Sequence, residues 1–280
     1  MSSIITLTTD FGYDDAYVGA VKGAILSVNP QATIIDISHS IQPQNILQGA
    51  FILSVAYRYF PKQTIHLAIV DPGVGSDRQA IILKTPLATF VAPDNGILSY
   101  IIDEMVSVDT AVSRQQPATP QKIVFKAGLE AVAITDPRFW RQPVSPTFHG
   151  RDIFAPVAAG LSLDISLYEF GERINALHVL PVPKAYMDTN GRLVGQVLHV
   201  DRFGNLISNI RNSDLPGKDV IVEVAGHQIR GVADYYAQKD GVMAVAGSSG
   251  YLEVSLRDGS ACDFLGATVG DEITVTSGGQ

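Results

Sequence analysis

Two acidic segments near the N-terminus combine a carboxylate with glycine, a pattern typical of ligand-binding turns. Asp10 follows an apolar run, at the end of the first predicted strand, where open α/β sheets bind ligands. A carboxylate there can accept hydrogen bonds from both ribose hydroxyls, although a turn or helix-capping aspartate fits equally well. In residues 71–78, DPGVGSDR, Gly73 and Gly75 would let the backbone approach a ligand and point N–H groups at it. A plain glycine-rich turn stays open here, and the chain has no Walker lysine pattern.

A third candidate is His149, which lies next to Gly150 and just before a predicted helix at 152–163. A lone histidine is more often structural than functional. The other histidines have no metal-ligand spacing, and Cys262 is the only cysteine. We therefore predict no metal site.

Two further segments lie in the C-terminal third of the chain. Residues 201–205, DRFGN, suit a hairpin turn as well as a binding loop, and residues 247–253, GSSGYLE, suit a turn that leads into a strand. Taken singly, the five segments indicate only an anionic, glycine-lined site.

The first hundred residues alternate strand and helix patterns. Residues 4–9 and 32–37 are β-rich, and 64–70 is an almost continuous apolar run, as in a strand buried on both faces. Asp14 offers a cap for a helix that ends before Pro30. Because helices between strands imply parallel crossovers, we predict an α/β N-terminal domain with a central, mostly parallel sheet.

The pattern changes after a segment rich in proline and turn residues. We predict an α/β domain over 1–174, a linker over 175–192 and a β domain over 193–280, in which short strands alternate with turns. This C-terminal domain is expected to be all-β, a small antiparallel barrel or sheet. Residues 115–122 are polar and contain two prolines, which predicts a surface excursion.

Composition limits the class of protein. The 280 residues carry 28 acidic and 20 basic side chains, a formal net charge of −8, which argues against nucleic-acid binding. No apolar run reaches the roughly 18 residues of a membrane helix. The N-terminus has no basic region typical of a secretory signal, and one cysteine forms no intrachain disulfide. We expect a cytoplasmic protein without a membrane segment.

In combination and in this order, seven segments resemble the S-adenosylmethionine hydrolase family, also called SAM hydroxide adenosyltransferases, which is related to the fluorinases and chlorinases. The segments are TTDFGYDDAYVG (8–19), HSIQPQNILQGA (39–50), VDPGVGSDR (70–78), APDNG (92–96), TFHGRDIFAPVAA (147–159), DRFGN (201–205) and GSSGYLE (247–253). The likeness covers nearly the whole chain and is weakest over 107–146.

The resemblance implies an enzyme that hydrolyses S-adenosylmethionine to adenosine and methionine with an activated water. S-adenosylmethionine is then the substrate, and no cofactor is expected. The resemblance also implies a two-domain subunit in a homotrimer, with sites between the N-terminal domain of one subunit and the C-terminal domain of its neighbour.

The family's catalytic residues match Asp71, Arg78 and His149. Asp71 would orient the water, Arg78 would hold Asp71, and His149 would accept or relay a proton; which group finally takes the proton stays open. The substrate-binding positions implied by the resemblance are Asp10 for the ribose, Asp15 near the methionine end, Asp201 near the amino-acid part, Phe203 and Asn205 near the adenine, and Phe148, Ser249, Tyr251, Glu253 and Ala261 in segments that line the ligand.

Three alternatives stay open. A halide-using adenosyltransferase is disfavoured, because halogenase relatives place tyrosine at Asp71, serine at Gly150 and tryptophan at Gln44. A nonenzymatic sensor of S-adenosylmethionine or adenosine is disfavoured because no member of the catalytic set is replaced. An α/β enzyme of unknown substrate is what survives without the resemblance.

Overall fold

The computed structural model describes residues 4–105, 120–124 and 128–278. The chain divides into two compact units, Met1–Val182 and Pro183–Gln280, called here the N-terminal and C-terminal units. The greater part of the predicted excursion, residues 115–119, lies outside the described residues.

A seven-stranded sheet with a small two-stranded sheet beside it forms the framework of the N-terminal unit. The strands are β1 (Ile4–Thr9), β2 (Thr33–Ser38), β3 (Ile65–Ile69), β4 (Ala80–Lys84), β5 (Thr89–Pro93), β6 (Gln121–Val124), β7 (Glu130–Ile134), β8 (Gly171–Ile174) and β9 (Ala176–Val179). The large sheet has the order β2-β1-β3-β5-β4-β7-β8, and β6 pairs with β9. Strands β2, β1, β3, β5 and β7 run in one direction and β4 and β8 in the other, which confirms the predicted mostly parallel sheet.

Helices cover both faces of this sheet. They are α1 (Tyr17–Val28), α2 (Ile46–Ala56), α3 (Ser99–Met105) and α4 (Ala155–Leu161), the last preceded by one π-helical turn, Gly150–Phe154. Strand β3 is buried throughout, and its side chains alternate between two cores. Leu67 and Ile69 join the core beneath α1 and α4, whereas Ala68 joins the core beneath α2 and α3.

Two local expectations for the N-terminal unit are wrong. Asp14 does not cap α1, because the helix begins three residues later and its N-cap, Ala16, makes no side-chain hydrogen bond. The helix predicted from Asp152 begins earlier, with the π-helical turn at Gly150, and becomes α-helical only at Ala155.

The C-terminal unit is built from one nine-stranded sheet. Its strands are β10 (Tyr186–Met187), β11 (Leu193–Val200), β12 (Leu206–Arg211), β13 (Val220–Val224), β14 (His227–Arg230), β15 (Val232–Ala233), β16 (Val242–Ala246), β17 (Tyr251–Leu256) and β18 (Glu272–Ser277). The order is β14-β13-β18-β11-β12-β17-β16-β15, with β10 on β11, and only β15–β16 is a parallel pair. Because β14 also lies against β16, the sheet curls into a nearly closed barrel around an apolar core. The predicted all-β domain is confirmed.

The sequence patterns miss two features of this region. A five-residue helix, α5 (Ala261–Leu265), is capped by Ser260, whose hydroxyl accepts from the Asp263 N–H at 3.1 Å. The segment 175–192 contains strands β9 and β10, and the boundary between the units follows Val182. Prolines and turn residues conceal these strands because each has only two to four residues.

Two helical glycines give a matched test of the packing in the N-terminal unit. A methyl group at Gly23, on the exposed side of α1, would meet no atom within 4 Å, so Gly23→Ala should raise the free energy of unfolding by about 0.5–1 kcal/mol. At Gly160 in α4 the methyl carbon would lie 2.9 Å from the ring of the fully buried Phe170. Gly160→Ala should therefore lower the free energy of unfolding by about 1–3 kcal/mol. Urea unfolding measures both, and effects of the same sign would contradict the packing described for α4.

Candidate active site

Asp71, Arg78 and His149 form one hydrogen-bonded cluster. Arg78 Nε donates to Asp71 Oδ1 at 2.9 Å and Arg78 Nη2 to Asp71 Oδ2 at 2.5 Å, a bidentate pair. The same Nη2 lies 3.0 Å from His149 Nδ1. The side chains of Arg78 and Asp71 are 11% and 6% exposed, so the pair is largely shielded from solvent. The structure thus brings together the three residues predicted to be catalytic.

The contact with Arg78 fixes the tautomer of His149. A guanidinium has only donors, so Nδ1 of His149 must accept and the neutral ring carries its proton on Nε2. Burial, helped by the positive charge of Arg78, lowers the pKa of His149 below its ordinary value of 6.5. His149 is therefore a neutral side chain at pH 7, with an N–H donor at Nε2.

Backbone geometry holds the 71–78 loop. Gly75 has φ +80°, and a side chain there would place Cβ 2.5 Å from the Pro146 carbonyl oxygen, so the loop needs glycine to pack against the segment before His149. The N–H groups of Val74 and Ser76 donate within the loop to the carbonyls of Asp71 and Gly73, so these two amides are not directed at a ligand. The loop positions side chains rather than forming an anion-binding nest at these two amides.

The strand preceding Asp71 is also tied down. Asn95, in the turn that follows β5, donates from Nδ2 to the Val70 carbonyl at 2.8 Å. This bond links the end of β3 to the APDNG segment, and explains how a turn without catalytic side chains contributes to the site. On the other side, the Arg78 guanidinium carbon lies 5.1 Å from the centre of the Phe154 ring.

An aromatic group surrounds Gly150. Phe148 contacts Phe11 and Tyr17 edge-on, with ring centres 5.8 and 5.2 Å away. A Cβ on Gly150 would lie 3.3 Å from both Phe11 and Phe148 and 3.5 Å from Ile69. A larger residue at 150 would therefore require these rings to shift. Phe148, a predicted ligand-lining residue, lies beside His149 and packs within this group.

Asp10 lies at the same edge of the sheet as Asp71. Thr9 of β1 pairs with Ile69 of β3, so both carboxylates follow neighbouring parallel strands. Asp10 Oδ2 accepts from the backbone N–H of Gln44 at 2.7 Å. Asp15 is exposed in the turn before α1. The structure brings Asp10 to the predicted edge and leaves Asp15 on the surface of the N-terminal unit.

In the C-terminal unit the DRFGN segment forms the hairpin turn between β11 and β12. Asp201 Oδ1 accepts from the N–H groups of Phe203 and Asn205 at 2.8 and 2.9 Å, and Oδ2 accepts from Asn205 Nδ2 at 2.9 Å. Both carboxylate oxygens of Asp201 therefore hold the turn. The Phe203 ring is 74% exposed, which presents a flat aromatic face to solvent.

A buried carboxyl lies in the GSSGYLE segment. Glu253 is 5% exposed, and burial raises its pKa. Its Oε2 accepts from the Tyr236 hydroxyl at 2.8 Å, and Ser249 Oγ lies 3.5 Å from Oε1. Burial raises the pKa of Tyr236 to about 12, so this phenol stays a donor. Sequence patterns missed Tyr236, which is one of two adjacent tyrosines in a turn and carries no motif.

Two other predicted positions in this unit differ in exposure. Tyr251 is partly exposed, and the Arg211 guanidinium carbon lies 5.9 Å from its ring centre. Ala261 has no exposed surface, because it is packed in the apolar core at the start of α5. A residue with no exposed surface cannot contact a ligand, so Ala261 is not part of the proposed binding set.

Within residues 4–105, 120–124 and 128–278, no group of three or more histidine, cysteine, aspartate or glutamate side chains is arranged to hold a metal ion. No helix in that part of the chain combines the length and apolar character needed to cross a membrane.

Comparison with known proteins gives one family for both units. Models of the SAM hydroxide adenosyltransferase N-terminal and C-terminal domains match residues 5–171 and 195–274. An (R)-S-adenosyl-L-methionine hydrolase of Methanocaldococcus jannaschii is 34% identical over 97% of this chain and 95% of its own. The crystal structure of an uncharacterized conserved protein from Thermotoga maritima has a TM-score of 0.83 at 34% identity, covering 97% of this chain and 99% of that one. A fluorinase of Nocardia brasiliensis is 27% identical over 76% of this chain and 72% of its own.

The tautomer of His149 can be measured directly. We expect nitrogen-15 NMR at pH 7 to find the His149 proton on Nε2. His178 is an internal control with the opposite expectation, because its Nδ1 lies 2.7 Å from Asp94 Oδ2 and must donate to it. In Arg78→Met the constraint on His149 disappears and both tautomers should be populated, while His178 should not change. A proton on Nδ1 of His149 in the unaltered protein would contradict the arrangement.

Proposed function

Because this chain belongs to the SAM hydroxide adenosyltransferase family, we propose that it hydrolyses S-adenosyl-L-methionine at C5′ of the ribose, giving adenosine and L-methionine. The observation that carries the proposal is the Arg78 guanidinium, which bonds both the Asp71 carboxylate and the His149 ring. The cluster presents a carboxylate and a neutral imidazole at one place, the groups needed to hold a water molecule and accept its proton.

The reaction needs no further activation of the substrate. Water oxygen forms a bond to C5′ as the C5′–sulfur bond breaks, and the electron pair of that bond neutralises the sulfonium to the thioether of methionine. The proton of the attacking water must leave at the same time. Since water is a weak nucleophile, the site must hold it in line with the breaking bond, at near-attack distance.

The hydrogen bonds support separate roles for the three residues. Asp71 would accept a hydrogen bond from the water and take its proton as C5′–O forms, because the lone pair of His149 Nδ1 faces Arg78 instead. His149 would donate from Nε2 and so orient the water oxygen. Arg78 would fix the direction of the Asp71 carboxylate and favour the negative charge that develops on the water.

Substrate binding is proposed on both units. Asp10 would accept from the ribose hydroxyls, with Phe148 lining the site and Asp15 near the methionine end. Phe203 would stack on the adenine ring, which its exposure supports, and Asn205 would lie beside it. Asp201 would act mainly by holding this turn in shape, since both of its oxygens accept from it. Ser249, Tyr251 and Glu253 complete the proposed set.

A halide-using adenosyltransferase is the second candidate. The close contacts around Gly150 speak against it, because a serine at that position would need Phe11 and Phe148 to move by a few tenths of an ångström. The fluorinase relative also covers less of the chain at lower identity than the hydrolase relative.

We also propose a homotrimer and a cytoplasmic location. The trimer is supported by the family and by candidate ligand residues in both units, and light scattering of the purified protein tests it. A lone cysteine and the acidic composition are compatible with the cytoplasm. No cofactor is proposed, since the sulfonium is itself the activated group.

Incubation of the purified protein with S-adenosylmethionine, without and with added chloride, tests the function. We expect adenosine and methionine to form in equal amounts without halide. Chromatography of the reaction mixture measures both products. Product that forms only with chloride would identify a halide-using enzyme instead. Tight binding of the substrate without any product would identify a sensor.

Asp71→Ala should lower turnover by about 100-fold or more, because it removes the proton acceptor. Asp136→Ala is the matched control. Asp136 also pairs with an arginine in the same unit, with its Oδ2 2.6 Å from Arg138 Nη2, but this pair lies on the surface. The control should keep full turnover. Steady-state kinetics measure both, and an unchanged rate in Asp71→Ala would remove Asp71 from the mechanism.

The lowered pKa of His149 sets the expected pH dependence. A histidine with a depressed pKa is still mostly neutral at pH 6.5 and reaches half-protonation only below that value. We therefore expect the acid limb of kcat/KM to have its midpoint below pH 6.5, because protonated Nδ1 would repel Arg78. An acid limb with its midpoint at or above 6.5 would contradict the lowered pKa of His149.

A further inference from the structure

We propose that Thr9 and His39 are positioning residues that hold the Asp10 loop in the geometry needed to bind ribose. This inference rests on the proposed function, because it assigns a role to Asp10 in that site. Neither residue touches the Asp71 cluster in the described contacts, and sequence patterns gave neither a role. The basis is a set of bonds between the loops that follow β1 and β2.

Three hydrogen bonds join these two loops. Thr9 Oγ1 lies 2.7 Å from His39 Nδ1, and the Gly12 N–H donates to the His39 carbonyl at 2.8 Å. The Gln44 N–H donates to Asp10 Oδ2 at 2.7 Å. The loop that carries Asp10 is thus held at both ends by one neighbouring segment, residues 39–44.

The bonds around Thr9 have a single consistent direction. The Phe11 N–H donates to one lone pair of Thr9 Oγ1 at 3.3 Å, and the direction of the bond between Thr9 Oγ1 and His39 Nδ1 follows from the tautomer of His39. His39 Nε2 lies 3.1 Å from Asp36 Oδ1 without the geometry of a hydrogen bond, but a lone pair on Nε2 would be repelled by this carboxylate, which favours the ring proton on Nε2. Asp36 is itself held by Lys22, whose Nζ lies 2.6 Å from the other oxygen. With the proton on Nε2, His39 Nδ1 accepts from the Thr9 hydroxyl, and this bond ties the ring to the end of β1.

The backbone at Gln44 is a second, independent observation. Gln44 has φ +67°, a left-handed conformation that a non-glycine residue adopts at an energetic cost. That conformation directs its N–H at the Asp10 carboxylate. A strained residue persists where the surroundings hold it, and the His39 contacts hold the start of the same loop.

Asp36, His39 and Thr9 are the residue types of a catalytic triad, with an acid, a base and a nucleophilic hydroxyl. The burial of Thr9 and His39 argues against nucleophilic catalysis by this group. Thr9 and His39 are each 1% exposed, so the hydroxyl does not reach a substrate. The chain of bonds is therefore structural support directed at Asp10, and neither Thr9 nor His39 is a catalytic residue.

The same strand supplies a matched control. Thr6 Oγ1 lies 2.7 Å from His66 Nδ1, both residues are fully buried, and neither is near Asp10. Thr9→Val and Thr6→Val each remove one buried threonine–histidine bond of equal length and should lower Tm by similar amounts. If Thr9 positions Asp10, only Thr9→Val should raise KM for S-adenosylmethionine, by roughly tenfold, the size of one lost hydrogen bond, with kcat within about twofold. Thr9→Ser keeps the hydroxyl and should restore KM.

An equal KM in Thr9→Val and Thr6→Val, or a Thr9→Ser enzyme that is no better than Thr9→Val, would overturn the inference while hydrolysis by the unaltered enzyme stands. If the unaltered protein forms no adenosine, the proposed function fails. The affinity for adenosine, measured by calorimetry, then replaces KM, and Thr9→Val should again bind more weakly than Thr6→Val. If Thr9→Val does not fold, Asp36→Ala provides the test, because it removes the partly exposed carboxylate that faces Nε2 of the His39 ring. A KM unchanged in that variant would equally overturn the inference.

Discussion

The candidate site depends on the guanidinium of Arg78, because this one group bonds both the carboxylate of Asp71 and the ring of His149. Two partly buried side chains that sit 78 residues apart in sequence are thereby fixed relative to each other. The positive charge also decides what each can do: it turns the lone pair of His149 Nδ1 inward and leaves its Nε2–H available as a donor. A carboxylate that accepts and an imidazole that donates can then hold one water molecule between them.

The fold supplies the places at which these groups meet. Strands β1 and β3 are parallel neighbours, so Asp10 and Asp71 both emerge at the carboxyl edge of the sheet, where α/β proteins bind ligands. Irregular backbone then sets the directions of the side chains. Gly75 packs against the Pro146 carbonyl, and Gln44 adopts positive φ to reach Asp10. Regular strands fix the positions of the carboxylates, and the positive-φ residues in the loops fix the directions of the side chains.

Features that depend on local pattern were predictable, and features that depend on distant contacts were not. The buried run at β3 and the alternating short strands after residue 193 predicted both units, and Asp10 and Asp71 were expected from their places after strands. The bond from Tyr236 to Glu253 and the Thr9–His39 bond join residues that are distant in sequence, and periodicity does not encode such contacts. Asp14 failed as a cap because α1 begins only at Tyr17, so that Ala16 and not Asp14 occupies the capping position.

The central claim is that water held by Asp71 and His149 attacks C5′ directly, in line with the departing sulfur. S-adenosylmethionine carrying one deuterium of known configuration at C5′ tests this claim most directly, through the configuration of the adenosine formed. A single displacement predicts inversion at C5′. Retention would contradict the account, because it requires two displacements, as when the Asp71 carboxylate first forms an ester with C5′ that water then opens.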